Sequence, residues 1–250
     1  MARLVRLALP LFLLCVTAAH ADDLDVDLSK PDVRLNVSFK GSELLLFGAK
    51  DIFGDLIVVV RGPNKDTSVR LKEKVFGIWA STDEVIFSDT PTFYAVAATQ
   101  PVQDLLPEHV LQSERIGTTR LGLKALSKPP TASAKTIDDF NAGFIRNMVA
   151  KNLYAKNLGT IRQIGKQLFR TDLWFPSNVS VGEYIVETYL VLDGQIETKR
   201  TTYLRVHKVG IEAKIYDFAH NFAFIYGLLA IIIAMACGWS ANAIFLKRGR

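Results

Sequence analysis

One histidine and one serine stand at the spacing that a catalytic base and its nucleophile can use. His109 and Ser113 are four residues apart, which places them on the same side of a helix if this segment is helical. No third orienting group and no oxyanion loop accompany the pair in the sequence, so chance proximity is the favoured interpretation. We therefore expect a protein that is not an enzyme. A membrane-anchored envelope hydrolase built on His109 stays the enzymatic alternative.

The other ligand-type residues predict no metal, thiol or cofactor site. His207 is expected on a solvated strand face and His220 at a membrane interface, and neither has a partner at metal-ligand spacing. Both cysteines, Cys15 and Cys237, lie in apolar segments near the two ends, so the intervening chain has no disulfide or thiolate site. Four carboxylates near the start of the exported segment could bind a cation, but a solvated sheet edge or tail is the favoured interpretation. They are Asp22, Asp23, Asp25 and Asp27.

Two tryptophans support a second alternative, a glycan or small-ligand binding module. Trp79 and Trp174 would be its ligand-facing aromatic residues, because flat rings stack on sugar faces. Large aromatic side chains more often lie in a protein core, and the sequence offers no further sign of a sugar site.

The first 21 residues have the three parts of a secretory signal peptide. Arg3 and Arg6 precede an apolar run over 7–17, and Ala19-His20-Ala21 matches the small-x-small cleavage pattern. The run is too short to cross ~30 Å of hydrocarbon as a helix, which favours cleavage after Ala21 over an uncleaved anchor. Export combined with the lack of disulfides favours a bacterial periplasm as the location.

A second apolar segment, near the C-terminus, predicts a transmembrane helix. Residues 222–246 contain no charged side chain, and Lys247, Arg248 and Arg250 come directly after them. At ~1.5 Å per residue this length is ample for a bilayer, and the terminal positive charges favour a cytoplasmic tail over 247–250. We expect a juxtamembrane and transmembrane helix over 217–246 in the bacterial inner membrane, with the preceding domain in the periplasm.

Small residues recur along one side of this predicted span. They are Gly227, Ala230, Ala234, Gly238 and Ala241. Small side chains at intervals of three or four residues allow another helix to approach closely within a membrane. The stripe predicts a packing face for a membrane-protein partner or a homo-oligomer, although small residues also occur by chance in any span.

The charge balance argues against a nucleic-acid partner. The formal net charge is +5, from 30 basic and 25 acidic residues. Removing the two arginines of the signal peptide and the three basic residues of the tail leaves 25 basic residues against 25 acidic ones. Nucleic-acid binding requires a basic surface, so a neutral exported domain makes such a role unfavourable.

Strand patterns dominate both ends of the exported segment. Apolar and polar residues alternate over 33–39, as in a half-buried strand, while the apolar runs 44–47 and 56–60 predict strands buried on both faces. Asp193-Gly194 lies between two further strand patterns and predicts a β-hairpin. In the second arm of that hairpin, Leu204 is expected to face inward.

A helical insertion is predicted over about 101–158. Two short helical patterns lie on either side of Pro107, and a longer amphipathic helix is expected to begin with Thr136 as its cap and to end at Gly159. We expect this helix to pack on the β core. The fold class is therefore mainly β: an immunoglobulin-like antiparallel β-sandwich over 22–216 with a helical insertion, plus one C-terminal transmembrane helix.

Several short motifs resemble one family, the alphaproteobacterial transmembrane proteins that combine a signal peptide, an exported domain and a C-terminal span. The motifs are Phe47-Gly48-Ala49, Val58-Val59-Val60-Arg61-Gly62-Pro63, Phe76-Gly77-Ile78-Trp79, Pro91-Thr92-Phe93-Tyr94-Ala95-Val96, Leu168-Phe169-Arg170, Gly182-Glu183-Tyr184 and Gly238-Trp239. The resemblance covers nearly the whole mature chain. It implies no catalytic residues and no cofactor, and it implies a link to transport beside a permease of the sulfite-exporter type. We expect a non-enzymatic binding or accessory subunit of a membrane assembly, held by the lipid bilayer.

Overall fold

The structure is a computed structural model that describes residues 24–36, 38–127 and 134–248. The predicted signal peptide, Asp22, Asp23 and the last two residues of the predicted tail lie outside the described residues. The strands are β1 Leu24–Leu28, β2 Asp32–Leu35, β3 Ser42–Lys50, β4 Asp55–Arg61, β5 Asn64–Val75, β6 Ile78–Pro91, β7 Tyr94–Ala98, β8 Lys124–Ser127, β9 Gly159–Thr160, β10 Arg162–Ile164, β11 Leu168–Phe175, β12 Gly182–Leu192 and β13 Gln195–Lys208. The helices are α1 Val102–Leu105, α2 Glu108–Ser113, α3 Ala134–Ala150, α4 Ile211–Asn221 and α5 Ala223–Arg248, with a 3₁₀ turn at Thr118–Arg120.

Two packed sheets form the sandwich. The outer sheet has the order β1-β3-β11-β10, and the central sheet has the order β2-β13-β12-β4-β7-β9. Neighbouring strands are antiparallel except for the pairs β2–β13 and β7–β9. The mainly β fold with antiparallel sheets and one C-terminal apolar helix is therefore confirmed. The strand order does not conflict with the immunoglobulin-like prediction, in which A-B-E-D packs against G-F-C, and that finer detail stays a prediction.

The first core lies between these two sheets. In β11 buried and exposed residues alternate along the whole strand, so that one side chain in two enters the core. Phe93, Phe175 and Tyr184 meet there as an aromatic group with ring centroids 5.0–5.9 Å apart. The Tyr184 hydroxyl donates to the Ser180 carbonyl at 2.8 Å, which fixes the entry into β12 in the manner of a tyrosine corner.

A second core covers the other face of the central sheet. Leu56, Val58 and Val60 of β4 point into the first core, whereas Ile57 and Val59 point into the second. This confirms the prediction that residues 56–60 are buried on both faces. The same prediction is wrong for residues 44–47: Phe47 is 43% exposed, because the outer sheet has a core on one face only.

The insertion covers the second core together with Val85 and Phe87 of β6, and it is not entirely helical. The two short helices α1 and α2 lie where they were predicted, and the face of α3 that carries Phe140 and Phe144 is buried in this core. The predicted ends of the long helix are wrong, because α3 already includes residues before Thr136, and Gly159 is part of β9. Strand β8, which was not predicted, pairs with β6 in a third sheet.

Strands β5 and β6 form a long ribbon that continues the β4–β7 pair, and the register changes only within the ribbon, after Lys65 and after Arg70. Arg61 pairs with Tyr94, and three residues further on Asn64 pairs with Pro91. The ribbon turns at Phe76 and Gly77, both of which have positive φ. Phe76 and Gly77 adopt left-handed backbone because a tight hairpin turn of this kind requires it.

The strand β13 leads out of the sandwich into α4 and α5. The hairpin prediction is confirmed: Asp193 and Gly194 form the β12–β13 turn with φ of 48° and 79°. Leu204 is fully buried, as predicted, and its neighbour Tyr203 is 58% exposed. Gly210 precedes α4, and after Phe222 the chain continues as α5.

Candidate functional site

Helix α5 has the length and composition of a membrane span. It contains 26 residues, which corresponds to about 39 Å at the usual rise. None of the stretch Ala223–Ala241 is buried against the rest of the described protein. A helix of this kind that is apolar on all sides and uncovered is stable in hydrocarbon rather than in water, because its backbone bonds are satisfied internally.

The five small residues lie on one side of α5, within an arc of about 80° at the usual 100° per residue. They are Gly227, Ala230, Ala234, Gly238 and Ala241. At Gly227 and Gly238 an added Cβ would have no atom within 4 Å in the described structure. The five residues therefore share one side of the helix, and their role as a packing face stays a prediction.

The histidines are scattered. His109 is exposed on α2, and the Ser113 hydroxyl donates to the Val110 carbonyl at 3.0 Å within the same helix. The His207 Nε2 lies 3.9 Å from an Asp32 carboxylate oxygen, and the His220 ring lies 4.0 Å from the Tyr216 ring, centroid to centroid. Within the described ranges, no three His, Cys, Asp or Glu side chains are placed to hold a metal ion together.

The two tryptophans lie on different sheets. Trp174 belongs to the outer sheet, is 58% exposed and covers Gly41, where an added Cβ would come 2.5 Å from its ring. Trp79 lies in β6 of the ribbon, and its side chain is outside the described part of the structure. They do not share a sheet face, so a ligand-facing role for either one stays a prediction.

A group of charged residues that the sequence did not predict joins α2 to the central sheet. We call it the charged cluster: Arg61, Glu114, Glu187, Tyr189 and Lys199. The Lys199 ammonium lies 2.7 Å from the Glu187 carboxylate and 3.0 Å from that of Glu114, and Arg61 forms an ion pair with Glu187. Arg61 also donates to the Glu114 carbonyl at 2.7 Å, and Tyr189 donates to the Glu114 carboxylate at 3.2 Å.

The electrostatics of the charged cluster keep both partners ionised. Partial burial opposes the charge on Glu114, but the hydrogen bond and positive charge of Lys199 outweigh burial and lower the pKa of the carboxyl. Burial likewise opposes the charge on the Lys199 ammonium and tends to lower its pKa. The hydrogen bond from Lys199 to Glu114 outweighs this effect, so the pKa of Lys199 is raised. The charged groups of the cluster form ion pairs and hydrogen bonds with one another. We therefore interpret the cluster as a contact that holds α2 on the sheet.

Tyr94 and Lys50 are two further buried polar residues, and both have structural partners. The Tyr94 hydroxyl donates to the Arg115 carbonyl at 2.9 Å and accepts from the Gly117 amide at 2.7 Å, which holds the loop after α2. Lys50 is 3% exposed and donates to the Gly54 carbonyl, and burial lowers its pKa. The position of Lys50 at the end of an apolar strand gave no signal that it is buried.

A cleft of about 400 Å³ lies between β7, α1, the 3₁₀ turn and the loop after α3. Its lining combines apolar and polar residues: Tyr94, Val96, Pro101, Val102, Gln103, Gly117, Thr118, Thr119, Arg120, Ala155, Lys156, Asn157 and Leu158. Arg120 is oriented by two hydrogen bonds of 2.8 Å each to the Glu108 carboxylate. Hydroxyls, an amide and a lysine around a small cavity can hold a small polar or anionic molecule.

Comparison with known families matches residues 23–247 to the family model described as "Putative transmembrane protein (Alph_Pro_TM)". The match covers the sandwich, the insertion and nearly all of α5. Neither the curated proteins nor the solved structures gave a match to the chain.

Proposed function

The chain belongs to the alphaproteobacterial transmembrane protein family, and from this membership we propose that it is a single-pass inner-membrane protein with its β-sandwich in the periplasm. The sandwich acts as a non-enzymatic binding or accessory subunit of a membrane assembly related to transport. The lipid bilayer holds it through α5, and the basic residues after the span remain in the cytoplasm.

The single observation that carries this proposal is α5 itself. A domain with two hydrophobic cores ends in a 26-residue helix, and the stretch Ala223–Ala241 of this helix is not buried against the rest of the described protein. Arg248 at its end and the neighbouring Lys247 support a cytoplasmic C-terminus by the positive-inside tendency. The signal-peptide pattern over 1–21 supports the same orientation, because a signal peptide directs the domain behind it across the inner membrane.

A binding role is supported by how the polar groups are used. The polar groups of the charged cluster, of Tyr94 and of Lys50 form ion pairs or hydrogen bonds with other residues of the folded domain. His109 and Ser113 lie exposed on α2 without an orienting partner for the imidazole in the described structure. We expect a membrane-protein partner or a second copy to pack against the small-residue face of α5.

Orientation is tested by labelling single cysteines in whole cells and in cells with the outer membrane opened. In a Cys15→Ser, Cys237→Ser background, Glu197→Cys of β13 is expected to react with an impermeant maleimide once the outer membrane is opened. A cysteine added after Arg250 is the matched control and should react only after lysis of the inner membrane. Labelling of the C-terminal cysteine but not of Glu197→Cys in opened cells would reject the orientation.

The accessory role is tested by purifying the tagged full-length chain in a mild detergent. We expect a membrane protein to be recovered with it in a fixed ratio. Recovery without any other membrane protein, in several detergents and from cells at native expression, would contradict the accessory role and leave the orientation untouched.

A second candidate, a small-ligand binding module, is favoured by the cleft near Tyr94. Its cavity of about 400 Å³ contains Lys156, Asn157 and two threonines beside apolar residues, which suits a small carboxylate or sugar acid. Thermal-shift screening of the full chain against small carboxylates and neutral sugars tests it. A shift that disappears in Lys156→Ala and persists in the control Lys166→Ala would support the module, and no shift with any of them would rule out these ligand classes.

A further inference from the structure

The exposed face of the outer sheet carries its charges in order from one edge to the other. Strand pairing aligns Asp27 with Phe47, Phe47 with Arg170, and Arg170 with Arg162, across all four strands. Aligned residues in neighbouring strands point to the same side of the sheet. One row therefore runs from an acidic residue on β1 through an aromatic ring to two arginines on β11 and β10.

The next row of the same face is largely apolar. It consists of Asp25, Ala49, Leu168 and Ile164 in the same strand order. Leu168 is 53% exposed, Ile164 51% and Phe47 43%. Contiguous apolar side chains rimmed by charge on an otherwise solvated sheet are typical of a protein–protein contact.

We propose that this face is self-complementary and that its occupant is a second copy of the same chain. A two-fold axis parallel to the strands, between two such faces, brings β1 of one copy opposite β10 of the other. It equally brings β3 opposite β11. Asp27 then faces Arg162 of the second copy, twice by symmetry, and Phe47 faces the guanidinium of Arg170, a favourable cation–π geometry.

The charge pattern selects this arrangement over the other face-to-face pairing. A two-fold axis perpendicular to the strands would leave each strand opposite itself and bring Asp27 near Asp27. With the axis along the strands no like charges lie directly opposite each other in these rows, because Asp172 aligns with Leu45 in the sheet and therefore faces Leu45 of the second copy. Complementary charge suppresses the wrong pairing and sets the register of the right one.

The same axis suits two copies anchored in one bilayer, a step that rests on the membrane anchoring proposed above. Copies with the same orientation in a membrane can be related by a two-fold axis only along the membrane normal. Strand β13 leads to α4 and α5, β2 is parallel to β13, and only residues 29–31 separate β2 from β1 of the outer sheet. The proposal therefore includes that the strands of both sheets lie along the membrane normal.

The area of the face predicts that the pairing depends on the membrane. The strands β1, β3, β11 and β10 have 5, 9, 8 and 3 residues, and at about 3.3 Å per residue and about 4.8 Å between strands they give a face of roughly 400 Å². This is below the roughly 800 Å² per partner of a stable soluble complex. Confinement in the bilayer raises the effective concentration of the two copies and compensates for the small area. Among the described residues, neither Arg162 nor Arg170 is engaged in an ion pair, whereas Asp25 lies 3.9 Å from Arg200.

Chemical cross-linking in native membranes tests the register directly, with a short bismaleimide because the backbones of two packed sheets lie about 10 Å apart, too far for a disulfide. The full chain carries Asp27→Cys and Arg162→Cys together in the Cys15→Ser, Cys237→Ser background, and is treated with this reagent. An inter-chain dimer is expected for the double variant only, because the axis places position 27 opposite position 162 and not opposite itself. The two positions lie on opposite edges of one sheet, and a link within one chain would not produce a dimer. Equal trapping by Asp27→Cys alone, or no dimer from the double variant, overturns the proposal.

Charge exchange gives a second test that does not require a cysteine to be tolerated. Asp27→Arg and Arg162→Asp are each expected to lower the co-purification of two differently tagged copies about fivefold, by placing like charges opposite each other. Co-expression of the two variants restores opposite charges at both contacts and should restore pairing. Glu197→Arg, a charge reversal on the central sheet, is the control. Failure of the mixture to exceed the single variants overturns the proposal. Labelling of Glu197→Cys reports separately whether the orientation is correct.

Discussion

The Lys199 ammonium lies 3.0 Å from the Glu114 carboxylate, and this contact ties the end of α2 to the central sheet. Lys199 is also 2.7 Å from Glu187, which in turn pairs with Arg61 of β4. A single residue of the last strand therefore connects the insertion to two other strands. This arrangement explains how a long insertion between β7 and β9 keeps a constant position on the sandwich.

The contact predicts an acid-sensitive contribution to stability. The pKa of Glu114 is lowered from its ordinary 4.5, so the folded state is favoured above that value and the advantage is lost as the pH falls through the lowered pKa. Glu114→Gln should cost about 0.5–1 kcal/mol at pH 7, a modest value because the side chains are 32% and 38% exposed. Thermal unfolding of both proteins between pH 7 and pH 3 should show the difference shrinking with acid. Glu197→Gln is the control, and a difference that is constant with pH would contradict the prediction.

Tyr154 predicts a larger effect, because its hydrogen bond is buried. Its hydroxyl donates to the Pro91 carbonyl at 2.8 Å, and burial raises its pKa, so the phenol stays neutral and remains a donor. Tyr154→Phe leaves that carbonyl without its partner and should cost about 1–3 kcal/mol in denaturant unfolding. Tyr203→Phe, at a site that is 58% exposed, should change stability little. Equal effects of the two substitutions would argue against the buried bond.

Gly48 predicts a steric requirement in the outer sheet. A Cβ there would lie 2.3 Å from the Asp25 carbonyl oxygen and 2.6 Å from the Phe169 ring, so β1 and β3 would have to separate. Gly48→Ala should lower the unfolding free energy by at least about 1 kcal/mol. Gly143→Ala in α3, whose added methyl has its nearest neighbour at 3.9 Å, should be neutral or stabilising by up to about 1 kcal/mol. Comparable melting temperatures for the two variants would refute this.

The small-residue face of α5 predicts that bulk on one side of the span is disruptive. Gly238→Leu should reduce the recovery of a membrane-protein partner in pull-downs several-fold, because it prevents close helix approach. Ile232→Phe, about 120° away from Gly238 around the helix, is the matched control and should leave recovery unchanged. Equal loss in both variants would mean that the stripe has no special role.

Prediction from sequence succeeded where a local pattern decides the structure. The Asp193-Gly194 turn, the burial of 56–60 on both faces and the two short helices beside Pro107 follow from backbone preferences and hydrophobic periodicity. It failed where the decision depends on a distant segment. Phe47 was expected in a core and is exposed, because nothing in its own strand indicates that the outer sheet has only one covered face. The start of α3 was placed too late for a related reason, since packing of Phe140 and Phe144 on the sheet stabilises the helix.

The sequence by itself determined that this chain is mainly β and that it ends in an apolar helix long enough to cross a membrane. Both conclusions depend on the residue types within one continuous stretch of chain. The periodicity of a strand and the free energy of transferring an apolar helix from water into a bilayer can be judged without knowing which distant residues the stretch contacts. Only the tertiary structure decided which side chains meet across strands. The charged cluster and the row from Asp27 to Arg162 each join residues separated by many positions in the chain, and their alignment depends on strand register. Register is set by the packing of whole sheets, so it becomes visible only when the fold is known.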